Sequence, residues 1–416
     1  MNASIINIGD ELLIGQVTNT NATWMAQQLT ETGYAVTETV CIADRREAIE
    51  NTLSRSLQHA DVVLVTGGLG PTKDDITKKT LCDFFHSTLV EDEASLHNIE
   101  RIFAGRGYPM TETNRMQALV PACCEVIVNT VGTAPCMWFE TEGKVVVSLP
   151  GVPSEMKHLM SWEILPRLQK RNNGTYIIQK NLLFQGIGES FLSDKIEKWE
   201  LDLPGHIGVA YLPQHGMLRL RLTATGRDKA GLQRQLEEES RKLHGLVGEF
   251  ILGEDRESLQ EIAAETLCRH GKTLSSAESC TGGAIAARFT AMPGASNYYK
   301  GGIVAYSNEL KRQLLHVRKE TLDKHGAVSE ETVMEMVTNL REICRSDYAI
   351  ATTGIAGPDG GTPDKPVGTV WIGIASGQRT ITRLLHFSDR RAQVIERTCN
   401  QVIGELIKLI VQECGK

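Results

Sequence analysis

The 416-residue sequence holds ten cysteines but no CxxC pair and no Cys/His ladder at metal-ligand spacing, which argues against a zinc ribbon or a thioredoxin-type redox centre. No apolar run approaches the ~18 residues that cross a bilayer, so no membrane span is expected. The chain opens at "MNASIINIGDELL" without a basic segment leading into an apolar one, so no secretory leader is expected either. Positive charge is not in excess: Lys and Arg number 44 against 51 Asp and Glu, for a net charge of −7. Such a surface repels a phosphate backbone, and neither nucleic acid nor membrane is the expected partner. Internal repeats and low-complexity tracts are missing as well. These absences point to a reduced, cytoplasmic protein whose cysteines serve as small buried hydrophobes.

What is present is a soluble α/β composition, 41% hydrophobic and 23% charged. The length exceeds the ~250 residues at which single cores stop growing, so two or three domains are expected. The first part alternates strand and helix patterns: "ASIINIG", then "NATWMAQQLTETG", "AVTETVCI", "RREAIENTLSRSLQHA" and "DVVLVTGGLG". That order predicts a doubly wound parallel sheet over residues 1–170, with ligands at the carboxyl ends of its strands. Residues 171–253 read as a small α+β module, from the period-two strand "MLRLRLTATG" and the charged helix "DKAGLQRQLEEESRKLHG". A third unit, 254–416, is again α/β, with strands "KTLSSAES", "GGIVAYS", "YAIATTGIAG" and "GTVWIGIAS".

Two loops of the first unit carry chemistry. "GDELL" sets Asp10 and Glu11 just past a strand, and "TGGLGPTKDD" sets Gly67, Gly68 and Gly70 before Asp74 and Asp75. Glycines let backbone amides approach a phosphate, and carboxylates hold a divalent metal between phosphoryl oxygens.

"GDELLIGQVTNTN", "GGLGPTKDD", "NTVGTAPCMWF" and "LPGVPSEM" resemble the molybdopterin-binding fold of MoaB- and MogA-like proteins, in the version at the amino end of the CinA family (competence/damage-inducible protein A). "SSAESCTGG", "GGIVAYSNELK", "HGAVSEE" and "TTGIAGPDGGTPDKPVGTVWIGIA" resemble that family's carboxyl-terminal nicotinamide mononucleotide (NMN) deamidase domain, and the middle module is similar to its KH-type domain. The resemblance implies a homodimer acting on small nucleotides, NMN and ADP-ribose. It implies for the first domain an ADP-ribose pyrophosphatase using a divalent metal, Co or Mg, with K⁺ stimulating, and makes Asp10, Glu11, Asp74 and Asp75 the candidate ligands. The chain departs from the family in having Cys136 after the proline of "GTAP", where glycine is usual. The last domain needs no cofactor on this reading.

Releasing ammonia from a carboxamide is acyl transfer, which needs a nucleophile, a base, an acid for the leaving amine and oxyanion donors. "ESCTGG", at a strand-to-helix junction, offers the amides of Thr281, Gly282 and Gly283 as a phosphate seat. By resemblance Ser296 is the expected nucleophile, with Tyr306 and Lys311 completing the set on one contiguous loop-strand-loop. Which of the two takes the proton is open at this stage. Ser279 and Cys280 are the alternative nucleophiles, Cys280 because a thiol near a helix start can have a depressed pKa. Ser279, Thr353 and Gly354 match family positions lining the site, and Arg390 is expected to pair with a phosphate or carboxylate, with neighbouring Arg391 leaving the register open. Tyr298, Tyr299 and Lys300 are expected to be scaffold, and His325 a helix-entry residue before the cap Ser329.

Overall fold

A computed structural model describes residues 1–70, 76–172, 174–256, 258–388 and 390–415. Asp74 and Asp75 lie outside the described residues. The chain forms two compact units, residues 1–178 with 224–234, and residues 179–223 with 235–416.

In the first unit the strands are β1 (Asn2–Ile8), β2 (Ala35–Ile42), β3 (Val62–Thr66), a small antiparallel ribbon of β4 (Leu89–Glu91) and β5 (Leu119–Pro121), and then β6 (Glu125–Ile127), β7 (Cys136–Thr141) and β8 (Lys144–Leu149). The main sheet has the order β2-β1-β3-β8-β7-β6. β1, β2, β3 and β8 run parallel, as the pattern predicts, while β7 and β6 add an antiparallel edge. β3 and β8 read as continuous apolar runs because helices cover both faces of the sheet. One core gathers Ile5, Leu64, Val147 and Met25, the other Ile6, Val63, Val146 and Leu53. Cys136 is fully buried in the first of these, so the family's usual glycine is replaced by a core side chain on β7.

The second unit holds most of a four-stranded sheet of order β10-β11-β9-β12, built from β9 (Tyr176–Phe184), β10 (Ile207–Gln214), β11 (Met217–Gly226) and β12 (Ile251–Glu254). β11 alternates half-buried and buried side chains, the period-two signature of a sheet with one face packed. β10 is a strand that the sequence reading did not anticipate.

The remaining sheet has the order β14-β13-β15-β16-β17, from β13 (Leu274–Glu278), β14 (Tyr299–Val304), β15 (Tyr348–Gly354), β16 (Thr369–Ala375) and β17 (Thr380–His386). β14, β13 and β15 are parallel, and β16 and β17 antiparallel. One face is covered by the 24-residue helix Arg391–Cys414, which buries Val394, Val402, Leu406 and Ile410, and the other by the helix Glu330–Cys344. The register aligns Val304, Glu278 and Thr352, so the carboxyl ends of three parallel strands finish side by side.

Candidate active site

The three aligned strand ends build a polar pocket. Ser279 follows β13, its amide donating to the Thr352 carbonyl at 3.0 Å, and Ala305 follows β14, its amide donating to the Glu278 carbonyl at 2.9 Å. The next helix, Asn308–Leu315, is capped by Ser307, whose side chain accepts from the Leu310 amide, and it turns Lys311 back under the strand ends. Lys311 is 1% exposed. Its Nζ donates to Ser279 Oγ at 3.0 Å, to the Ala305 carbonyl at 2.9 Å and to the Tyr306 carbonyl at 3.3 Å. No carboxylate forms a salt bridge with it among the described residues, and burial lowers its pKa from the ordinary lysine value.

This geometry suits a serine–lysine pair. A neutral amine donates its two N–H groups to the Ala305 and Tyr306 carbonyls, which leaves its lone pair facing Ser279 Oγ. Ser279 is itself 8% exposed, in a site where a hydroxyl gives up its proton only to a placed base.

Ser296 is elsewhere. It sits in the 3-10 turn Ala295–Asn297 that leads into the amino end of β14, exposed and with no side-chain hydrogen bond among the described residues, whereas Lys311 packs at the carboxyl end. Five residue steps of about 3.3 Å from Tyr299 to Val304 separate the two ends by about 17 Å. Contiguity in sequence therefore divides Ser296 from Lys311, because a strand intervenes. Within the subunit the structure brings Lys311 to Ser279 and keeps Ser296 at the far end of β14.

Two of the three amides of the expected phosphate seat, those of Gly282 and Gly283, are engaged by the chain itself. Glu278, 1% exposed, accepts from the amides of Gly283 at 3.0 Å, Ile285 at 3.1 Å and Ala286 at 2.8 Å, all at the start of the helix Ala284–Thr290. The Gly282 amide donates to the Ser279 carbonyl at 3.1 Å. The Glu278 carboxylate, at the end of β13, thus complements that helix start and takes the Gly283 amide from the expected seat. Thr281 Oγ1 lies 2.7 Å from Thr352 Oγ1 in the buried layer beneath. The amides of Cys280 and Thr281 donate to no backbone carbonyl among the hydrogen bonds described.

Cys280 also departs from expectation. Burial pushes its thiol up to about 12, opposite to the depression a helix start confers, so it is a poor nucleophile at neutral pH. Thr353 is 1% exposed and gives its hydroxyl proton to the Ala327 carbonyl at 2.7 Å, tying β15 to the "HGAVSEE" segment. Gly354 is a packing position, since a Cβ there would meet Val370 Cγ2 at 2.7 Å.

At the rim of the pocket the two neighbouring arginines differ in their contacts. Arg390 precedes the helix Arg391–Cys414 and is exposed. Arg391 instead bridges two loops, with Nη2 donating to the Tyr306 hydroxyl at 3.1 Å and Nη1 to the Gly357 carbonyl at 2.9 Å. Tyr306 is 59% exposed, its phenol at the mouth and its carbonyl on Lys311. Lys365 Nζ donates to the His325 carbonyl at 2.8 Å, so the "GPDGGTPDKPVG" loop is anchored at both ends. His325 closes its helix beside Glu331, and Ser329 caps the next helix at the Thr332 amide. Tyr298 and Tyr299 are scaffold: the Tyr298 hydroxyl donates to the Phe289 carbonyl, and Tyr299 stacks on Phe289. Glu278 and Thr352 are the site residues that sequence reasoning missed, whereas Arg391 was the alternative it left open to Arg390. The signal for Glu278 was available, as a carboxylate ending a strand just before a glycine pair and a helix.

In the first unit a cavity of about 130 Å³ opens at the carboxyl ends of β1 and β3, lined by Asn7, Glu11, Asn21, Thr66, Gly67 and Gly151 among others. Asn7 Oδ1 and Asn21 Oδ1 are buried and have no hydrogen-bond partner among the described residues, which marks the cavity as polar. A Cβ at Gly67, whose φ is +107°, would overlap the Ile8 carbonyl, so only glycine lets β3 turn past the end of β1. The Gly67 amide is engaged by the Leu149 carbonyl, while Gly68 and Gly70 are not part of the lining. Asp10 and Glu11 are exposed neighbours on the short helix Asp10–Leu13, and the described residues contain no group of three side chains suited to a metal.

Three family models match the chain: Probable molybdopterin binding domain over residues 4–170, Damage-inducible protein CinA KH domain over 179–253, and CinA C-terminal domain over 256–410. The chain is 42% identical to a CinA-like protein of Flavobacterium psychrophilum, over 100% of both chains. It is 41% identical to a putative competence-damage inducible protein of Halothermothrix orenii, over 90% of each. Among solved structures, a CinA superfamily protein of Klebsiella pneumoniae is 36% identical, covering 37% of this chain and 96% of that one, with a TM-score of 0.36. No helix among the described residues is long and apolar enough to cross a membrane. The chain belongs to the CinA family, with a MoaB/MogA-like amino-terminal domain, a KH-type middle domain and a CinA carboxyl-terminal domain.

Proposed function

We propose that the carboxyl-terminal domain is an amidohydrolase that converts NMN and water to nicotinate mononucleotide and ammonia. The observation that carries this reading is the 3.0 Å contact between Ser279 Oγ and the buried Lys311 Nζ, which meets no carboxylate among the described residues. In the reaction, neutral Lys311 takes the Ser279 proton as Oγ attacks the carboxamide carbon. The amides of Cys280 and Thr281, which meet no backbone carbonyl among the hydrogen bonds described, serve as donors for the oxyanion that forms. Lys311 then returns the proton to the leaving nitrogen, and ammonia departs from an acyl-Ser279 ester. Water, deprotonated by Lys311, hydrolyses that ester to the carboxylic acid and regenerates Ser279. Tyr306 and Arg391, at the mouth, bind and orient the substrate. The test is ammonia release from NMN by the full chain, with hydroxylamine added to intercept the acyl-enzyme as a hydroxamate. No ammonia from NMN sinks the reading.

For the amino-terminal domain we propose metal-dependent ADP-ribose hydrolysis. Asn7 and Asn21 offer unpartnered amide oxygens to a polar ligand. The cavity, at about 130 Å³ against the ~300–1,000 Å³ of ordinary ligand pockets, holds only part of a dinucleotide. Asp10 and Glu11 by themselves do not make a ligand set for Mg or Co, so no step is assigned to a metal. The family model's molybdopterin assignment favours a second reading, a binding domain without turnover. Incubating the full chain with ADP-ribose and Mg²⁺ or Co²⁺, with and without K⁺, distinguishes them, since only the first reading yields AMP. We propose a homodimer, to be checked by light scattering on the full chain.

A further inference from the structure

We infer that the KH-type module sets the geometry of the carboxyl-terminal pocket, and that Asn400 is the positioning residue through which it does so. Buried where the module meets the carboxyl-terminal domain, Asn400 ties the helix that starts at Arg391 to the helix that follows Ser279. The kinetic consequence rests on the amidohydrolase reading above, and the structural one stands without it.

Asn400 lies on the helix Arg391–Cys414, about 14 Å of helix beyond Arg391, and is 4% exposed. Three segments converge on it. Its Nδ2 donates to the His215 carbonyl at 2.8 Å, in the turn between β10 and β11. Its backbone carbonyl accepts from Gln185 Nε2 at 2.9 Å, just past β9. From the other side, Arg288 Nη1 donates to Asn400 Oδ1 at 2.7 Å, and Arg288 Nη2 to Glu396 at 2.6 Å, one turn earlier on the same helix. Gln185 is 1% exposed and its own backbone amide donates to the Phe250 carbonyl at 3.0 Å, which fixes it to the KH-type module. Leu183 and Met217 carry the module's sheet onto the apolar core beneath.

The helix carries a glycine for this contact. Gly404 is buried one turn beyond Asn400, inside a helix where alanine would be the better former. A Cβ there would overlap the side-chain amide of Gln185, which would have to leave the Asn400 carbonyl. Both helices run to the pocket. The helix Ala284–Thr290, which carries Arg288, starts on the Glu278 carboxylate beside Ser279, and the other starts at Arg391, which holds the Tyr306 hydroxyl and the Gly357 carbonyl. Such hydrogen bonds hold only over about 2.7–3.2 Å, so a tilt of either helix at Asn400 is felt as a misplaced Arg391 and a loosened Ser279 loop.

The test compares four full-length proteins: wild type, Gly404→Ala, Gln185→Ala and the double variant. Hydrogen–deuterium exchange read by mass spectrometry follows peptides covering 278–286 and 391–398, where the amides of Ser279, Gly283 and Val394 are held by Thr352, Glu278 and Arg390. The expected result is exchange about 5-fold or more faster in both peptides for Gly404→Ala, and no such acceleration when the same change is made in the Gln185→Ala background. Should Gly404→Ala fold poorly, Asn400→Asp, which keeps the acceptor for Arg288 and loses the donor to His215, is expected to speed exchange in the same two peptides. With NMN as substrate, Gly404→Ala should lower kcat/KM about 10-fold, whereas the double variant stays within about 3-fold of Gln185→Ala. Faster exchange confined to the peptides around 185 and 404, or an equal effect of Gly404→Ala in both backgrounds, marks a merely structural contact and overturns the inference. If the wild type releases no ammonia from NMN, the amidohydrolase reading is what has failed, and exchange alone decides the role of Asn400.

Discussion

Exchanging the two candidate serines for alanine, one at a time, separates sequence contiguity from spatial contact. Ser279→Ala removes the oxygen 3.0 Å from Lys311 Nζ, and with it the group that would form the acyl-enzyme. Deleting a nucleophile of this kind lowers turnover by about 10,000-fold or more. It also takes one of three hydrogen bonds from a buried amine, a loss of about 1–3 kcal/mol that would lower the melting temperature by several degrees. Ser296→Ala touches an exposed turn hydroxyl about 17 Å away along β14, so its effect on stability stays within about 0.5 kcal/mol and on turnover within a few-fold. Ammonia release from NMN, coupled to glutamate dehydrogenase, reads the activity, and differential scanning calorimetry reads the stability. An inactive, well-folded Ser296→Ala protein beside an active Ser279→Ala protein would refute the serine–lysine assignment and return the nucleophile to the far end of the strand.

Three further outcomes follow from the same geometry. Lys311 titrates lower in the folded chain than in the unfolded one, so between its lowered value and the ordinary lysine value the unfolded state binds more protons and stability rises with pH. Urea midpoints of the wild type should therefore climb relative to Lys311→Met from neutral to alkaline pH, and kcat/KM should fall as pH drops through the lowered value. Arg391→Gln frees both the Tyr306 phenol and the Gly357 carbonyl and should reduce kcat/KM by about 10-fold or more, whereas Arg390→Gln stays within about 3-fold; equal effects would contradict the register. Iodoacetamide at pH 7.5 should modify exposed Cys123 and Cys268 well before Cys280, whose thiol is held up near 12, and peptide mapping with parallel assays should show activity surviving that first labelling.

Local pattern alone determined the α/β class, the doubly wound start and the loops that matter, because a buried parallel strand must be apolar on both faces and a helix must show its stripe. β3, β8, β13 and β15 are legible for that reason. Resemblance also grouped Ser296, Tyr306 and Lys311 as a reacting set, with Ser279 among the residues lining the same site. What the sequence could not say is which serine meets the lysine. Ser296 and Lys311 are 15 positions apart and Ser279 and Lys311 are 32 apart, yet the first pair straddles β14 while the second shares its carboxyl end. Tertiary structure decided this through parallel pairing, which aligns strand ends that are remote in the chain. The same alignment put Glu278 at the helix start, where a ligand phosphate had been expected, and buried Cys280 deeply enough to silence its thiol. Burial and the direction of a strand are properties of the packed sheet, and no single segment of the chain encodes them.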